Sequence, residues 1–206
     1  MLGDEIVHFI RSRRSVRRFL PQAVPAAVLE SILETALWAP SAHNRQPWRF
    51  AVVQRDSVKA RLAELMGAEF RRDLQRDGLA PAQIDLQIAR SRQRIQGVPV
   101  LIILCLDPTD LDRYPDSARN QAEHTMAVQG VAMAGAALML AAHAHGLGTV
   151  WMCSPLFAPA AVSQALDLPP DWQPQGMLLA GYPAHTPPLL APPRPRRPLD
   201  EVTRYF

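Results

Sequence analysis

Pro99-Val100-Leu101-Ile102-Ile103-Leu104-Cys105-Leu106 is apolar without interruption, and the chain turns polar at Asp107. A run of this length with no polar–apolar alternation fits a strand buried on both faces. Working outward, Trp48–Val53 is a second strand, short and rich in aromatic and β-branched residues. Thr149–Met152 and Met177–Gly181 read as two more. Helical spacing covers Leu2–Arg11, then Val28, Leu29, Ile32, Leu33, Ala36 and Leu37 ahead of Pro40. It recurs in Ser57–Leu74, in Ala82–Ile95 after the Asp77-Gly78 turn, and in Pro159–Ala165. A long helix is expected from about Asp116 to His145, with Asp116 or Ser117 as N-cap and Gly146 and Gly148 as its stop. Interleaved helices and strands in this order predict an α+β sheet with helices packed on it.

The chain has 206 residues, 48% of them hydrophobic and 20% charged, enough for a substantial core. No internal repeat or linker divides it, so one domain over residues 1–206 is expected. Tyr182–Pro198 is proline-rich and cannot form much regular structure; from about residue 183 the chain reads as an extended arm that must lie on something. The run Val128–Ala144 is short for a membrane span, contains Gly130 and Gly135, and is read as a buried helix. The first residues already carry Asp4 and Glu5, unlike a secretory signal. Cys105 and Cys153 lie in apolar surroundings and are expected to be buried thiols in a reducing compartment, which points to the cytoplasm. No Cys/His spacing resembles a zinc site, and no metal is expected.

Net charge is +3, and Lys59 is the only lysine. Arginine's planar fork suits phosphate and carboxylate, and two segments concentrate it. Arg13-Arg14-Ser15-Val16-Arg17 places several guanidinium groups and a hydroxyl within five residues. That is an anion site or a solvated basic turn. Arg194, Arg196 and Arg197 form a second cluster in the arm. The segment Ala39-Pro40-Ser41-Ala42-His43-Asn44-Arg45-Gln46-Pro47-Trp48 takes a helix stop through amide and hydroxyl side chains into a strand. Amides can bond the edge of a planar heterocycle, or the segment is simply a capped turn. Nothing resembles an aromatic platform for nucleic acid, and no glycine-rich dinucleotide fingerprint occurs.

In this order, the two segments resemble the FMN-dependent nitroreductase superfamily. The Arg-Arg-Ser-x-Arg-x-Phe run is similar to that family's opening, and Ala-Pro-Ser-x-x-Asn-x-Gln-Pro-Trp to its next motif. The likeness continues through Gly146-Leu147-Gly148-Thr149, Gly181-Tyr182-Pro183 and the Arg-Pro-Arg-Arg-Pro-Leu-Asp-Glu tail. It implies a nitroreductase fold, with a mixed central sheet flanked by helices. It also implies an intertwined homodimer that exchanges C-terminal arms and holds two FMN molecules at its interface. Arg13, Arg14, Ser15 and Arg17 would hold the phosphate, together with Arg194 and Arg196 of the arm. Pro40, Ser41, Asn44 and Gln46 would reach the flavin of the other subunit, and Met152, Cys153 and Ser154 would border its ring. No catalytic side chain is required, because flavin N5 carries the hydride.

One departure narrows the likeness. Many bacterial nitroreductases carry an acidic residue where this chain reads Trp151-Met152-Cys153-Ser154. Arg72-Asp73-Leu74, Asp77-Gly78-Leu79, Tyr114-Pro115-Asp116, Ala122-Glu123-His124-Thr125-Met126, Asp167-Leu168-Pro169 and Asp171-Trp172 resemble instead the nitroreductase-like C-terminal domain of the bifunctional enzyme of coenzyme F-420 biosynthesis. That likeness implies reduction of a dehydro intermediate of the deazaflavin. Arg72, Arg76, Arg90 and Arg94, on a helical insert expected to cover the site, would then meet the substrate's phosphate or carboxylates, or else line a solvated helix face. His124 is a proton donor or a structural histidine. The competing readings are a general NAD(P)H-dependent nitroreductase or quinone reductase, and a flavin- or deazaflavin-binding protein without turnover.

Overall fold

The computed structural model describes residues 2–184 and 195–206. Its elements follow in the order α1 (Leu2–Ser12), α2 (Ala26–Ala36), β1 (Trp48–Val53), α3 (Asp56–Arg76), α4 (Pro81–Gln96), β2 (Val100–Leu106), α5 (Ser117–Ala144), β3 (Gly148–Met152), α6 (Pro159–Leu166), β4 (Gln173–Gly181) and α7 (Leu199–Val202). Every residue of β2 is buried. Successive side chains of a strand point to opposite faces, and β2 serves two cores in this way. Val100, Ile102, Leu104 and Leu106 join a cluster with Ile32 of α2 and Val131, Ala134 and Leu138 of α5. Leu101, Ile103 and Cys105 join another with Leu62 and Met66 of α3 and Ala161 and Val162 of α6. Each fully buried aliphatic side chain contributes roughly 1.5–3 kcal/mol, so this strand is the hub of both layers.

The four strands lie in the order β1-β2-β4-β3, and all neighbours pair antiparallel. A mixed sheet was expected; the parallel component is the single bridge between Ser15 and Thr149, on the outer side of β3. The connection explains the difference. α3 and α4 form a helical hairpin with its own small core of Leu74, Ile84 and Ile88. It returns the chain to the end of the sheet that β1 left, so Val53 faces Leu101. A single crossover helix would have given a parallel pair.

The long helix α5 begins as expected, with the Asp116 carboxylate accepting from the Arg119 backbone N–H at 2.9 Å. Among the described residues it is the one helix long and apolar enough to cross a membrane, yet one face packs on α2 and the sheet. A second stripe, containing Ala122, Gln129, Ala132, Met133 and Ala136, is exposed. Gly135 of α5 and Gly176 of β4 leave a slot for the Trp151 indole: an added Cβ would lie 2.3 Å and 2.5 Å from it. Trp151 is therefore a packing residue, and the chain beyond it is set by that slot. Arg194 and the rest of residues 185–194 lie outside the described residues.

Candidate functional site

After α1 the chain runs along the free edge of β3. The Val16 N–H donates to Thr149 O at 2.9 Å. Gly148 permits this closeness, since a Cβ there would lie 2.7 Å from the Val16 side chain. The bridge pins the backbone of the arginine run, leaving Ser15 and Arg17 exposed and Arg13 and Arg14 half-buried. Arg14 is turned back on the chain, donating to the carbonyls of Arg11 and Arg13. Burial, and then the nearby charges of Arg14 and Arg196, pull the Arg13 guanidinium below its ordinary value. Arg13, Arg14 and Arg196 thus converge, which like charges do at a cost unless an anion joins them. His143, in the last turn of α5, belongs to the same cluster: burial, Arg13 and Arg14 lower its pKa.

The second predicted segment sits at the start of β1. His43, Asn44 and Gln46 have φ of 53°, 53° and 50°. Asn tolerates this left-handed region; His and Gln do so at roughly 1–2 kcal/mol each. Arg45 between them offsets the strain. Its guanidinium pairs with Asp112 at 2.6 Å, lies 3.6 Å from Glu123, and donates to the Asp110 carbonyl. Glu123 on α5 is only 3% exposed and also accepts from the Asp112 N–H at 3.3 Å. The Gln46 N–H donates to Ser41 Oγ at 3.0 Å, and Ser41 and Pro47 pack over Gly130 of α5. The loop is rigid at its base and presents Pro40, Asn44 and Gln46 to solvent.

The third segment follows β3. Met152 ends the strand, Cys153 is exposed, and a short 3-10 turn begins at Ser154. Here the expectation of two buried thiols fails. Cys105 is buried, and burial pushes its thiol up to about 12. Cys153 lies outside because the strand ends one residue earlier; its Sγ accepts from the Trp151 indole N–H at 3.1 Å.

Among the described residues, three buried side-chain polar atoms lack a hydrogen-bond partner: Arg13 Nη1, Arg45 Nε and Ser154 Oγ. Buried polar groups are nearly always satisfied; Arg45 Nε is ion-paired with Glu123 at 3.6 Å, which leaves Arg13 Nη1 and Ser154 Oγ as the open atoms. Arg13 Nη1 is a donor amid converging cations, which suits a phosphate. Ser154 Oγ can donate to or accept from a heterocycle.

One chain does not bring the segments together. The arginines and Ser154 lie along β3, at one edge of the sheet, and the 40–47 loop opens β1, at the other. Two strands intervene, which at roughly 4.8 Å per step separates the edges by roughly 14 Å. The expected substrate arginines lie on the α3–α4 hairpin. Arg72 and Arg76 pair with Glu69 and Asp73 within α3, and Arg90 and Arg94 are exposed on α4. His124 is half-buried beside Glu123. Sequence reasoning missed the Arg45–Glu123 clamp and the place of His143. An acid and an arginine 78 positions apart carry no pairing signal, whereas an apolar helix ending in histidine could have prompted a search for a partner.

Residues 10–182 match the model of the nitroreductase family, and the chain belongs to that family. It is 32% identical over 186 residues to 5,6-dimethylbenzimidazole synthase of Rhodobacter capsulatus, covering 89% of this chain and 86% of that one. It is 30% identical over 201 residues to the iodotyrosine dehalogenase 1 homolog of Caenorhabditis elegans, covering 96% of this chain; it spans 60% of that relative's length. Among solved structures, a Desulfovibrio desulfuricans protein in complex with FMN is 27% identical with a TM-score of 0.72, covering 98% of this chain and 96% of that one.

Proposed function

We propose that two copies of this chain hold FMN between them, the arginines along β3 of one facing the 40–47 loop of the other, and pass electron pairs to a small-molecule acceptor. The observation that carries this reading is the placement of two unsatisfied buried atoms, Arg13 Nη1 and Ser154 Oγ, in two of the segments expected to touch the cofactor. A flavin phosphate would supply a partner for the buried Arg13 Nη1 and offset the positive charge that Arg14 and Arg196 bring to it, and the exposed Arg17 and Ser15 lie beside it. Ser41, Asn44 and Gln46 of the partner subunit would bond the ring edges, and Met152, Cys153 and Ser154 would border its face. When bound, FMN supplies hydride acceptance and return at its N5. The chain's own side chains bind, orient and exclude water, and none is needed to form a covalent bond to substrate.

The homodimer is supported by apolar surface that a single chain leaves open. Trp38, beside the loop, is 90% exposed, and Ile6, Val7 and Ile10 of α1 and Met133 of α5 are also exposed. Patches of this kind mark interaction surfaces. An open groove of about 630 Å³ between α2 and β1 presents Leu33, Leu37, Phe50 and Val52, with Glu30, Glu34, Arg45 and Arg49 at its polar positions. The C-terminal Leu199, Val202, Tyr205 and Phe206 are exposed and flanked by Arg197 and Arg204. That apolar arm suits the apolar side chains of the groove of a second copy.

For the acceptor, the segments similar to the deazaflavin enzyme favour a dehydro intermediate of F-420. The pairing of Arg72 and Arg76 within α3 lends this no extra weight, so the choice rests on sequence resemblance. The experiment is direct. Purified protein should be yellow, run at twice the chain mass, and release FMN on denaturation. Colourless protein that takes up no added FMN overturns the reading. Reduced holoprotein is then offered a dehydro deazaflavin, a nitroaromatic, a quinone and iodotyrosine. Fastest reoxidation by the first supports the deazaflavin assignment; preference for the nitroaromatic or quinone with NAD(P)H identifies a general reductase, and iodide release a dehalogenase.

A further inference from the structure

The last turn of α5 meets the arginine run through His143. Its ring stacks on Phe9 of α1, with centroids 4.9 Å apart and 27° between planes. Its Nε2 lies 2.7 Å from Ser12 Oγ, and that hydroxyl donates to Phe9 O at 2.7 Å. A serine hydroxyl has one proton to donate. It goes to the Phe9 carbonyl, so Ser12 Oγ accepts from His143, and the neutral ring carries its proton on Nε2. Nδ1 is then where a second proton would be taken. The residue after Ser12 is Arg13. The ring thus grips the end of α1 at the point where the arginine segment departs for β3.

We propose that His143 is a fourth member of the phosphate pocket, fixing Arg13 and Arg14 through the end of α1 and taking a proton at Nδ1 when a phosphate dianion enters. This rests on the flavin reading above. The groups that face the ring are Phe9 and Ser12 from α1 and the charges of Arg13 and Arg14 from the segment that follows. Burial and those two charges hold the imidazole pKa below its ordinary value. A bound dianion offsets the arginine charges, and the helix C-terminus also favours a cation. The proton comes from solvent, and one is taken up for each phosphate bound.

The sign follows from linkage. His143 has a lower pKa in the free pocket than in the filled one, so affinity rises as pH falls between the two values, by at most about tenfold per pH unit. FMN's own phosphate gains a proton near pH 6, so the window to test lies above that.

FMN and riboflavin are titrated by fluorescence into flavin-stripped full-length protein between pH 6.5 and 8.5, for the wild type and His143→Gln. Glutamine keeps a donor at the Nε2 position but does not titrate. FMN affinity should fall several-fold across this range in the wild type and stay nearly level in the variant, with riboflavin level in both. Equal slopes for FMN in the two proteins, or a riboflavin slope matching that of FMN, overturn the proposal. If the variant does not fold, the wild type decides alone: the His143 imidazole pKa by proton NMR must be higher with FMN than without, and an unchanged value refutes proton uptake. FMN that fails to bind at any pH overturns the flavin reading itself, whereas tight binding with no pH slope overturns only the role of His143.

Discussion

Arg13 and Arg14 beside β3, and Arg71, Arg72 and Arg76 on α3, are the same residue type at similar density in very different company. On α3 each has a carboxylate: Arg71 meets Asp85 of α4 at 2.7 Å, and Arg72 and Arg76 meet acids one turn away. Beside β3, Arg14 donates to backbone carbonyls, Arg13 leaves a buried N–H unsatisfied, and Arg14 and Arg196 add positive charge to it. The first arrangement is self-sufficient. The second is incomplete without an anion. A count of arginines cannot separate the two; the position of the acids can.

The largest effect that tests this contrast is loss of cofactor. Arg13→Ala with Arg196→Ala should weaken FMN binding by roughly two to four orders of magnitude, since each charged hydrogen bond is worth roughly 1.5–3 kcal/mol. Arg72→Ala with Arg76→Ala should leave it unchanged. Fluorescence titration of the two double variants measures both, and equal losses would erase the distinction. Next comes Arg45, an arginine that is paired yet belongs to the site. Glu123→Ala leaves its guanidinium with the Asp112 carboxylate and the Asp110 carbonyl. Breaking a fully buried pair costs roughly 3–5 kcal/mol, and the partial exposure of Arg45 reduces this to roughly 2 kcal/mol in urea unfolding. FMN affinity should also fall as the strained loop relaxes. Asp85→Ala on the hairpin should cost roughly 0.5 kcal/mol, because exposed pairs contribute little. Smallest of all, Arg90→Ala and Arg94→Ala should shift stability by less than roughly 0.5 kcal/mol with no change in FMN affinity. A fall in that affinity would move the hairpin into the cofactor site.

Much of the fold was legible because burial writes itself into short-range pattern. β1 spans the predicted residues, β2 starts one residue late, and Asp116 caps α5. β4 was foreseen only from Met177, but it begins at Gln173. Gln173, Pro174, Gln175 and Gly176 carry no strand signature. Gln173, Pro174 and Gly176 pair because Leu104–Leu106 needs neighbours, Gln175 is skipped at the register shift between Leu104 and Cys105, and Gly176 makes room for Trp151. The candidate site was legible as three segments, since each is local. Its clamps were not: Arg45 with Glu123, and His143 with Ser12, join positions that only the folded chain brings together. The exposure of Cys153 was missed although β3 stops at Met152 as read, because apolar neighbours in sequence do not say which way the first residue beyond a strand points.

The placement of the arginines and the 40–47 loop at opposite edges of the sheet has a thermodynamic consequence. In the proposed dimer, a lone copy owns two unmatched halves of different pockets. Cofactor loading and subunit association are then a single coupled equilibrium. Dilution should shed flavin, and excess flavin should gather dilute copies, so the colour of the solution would report its state of assembly.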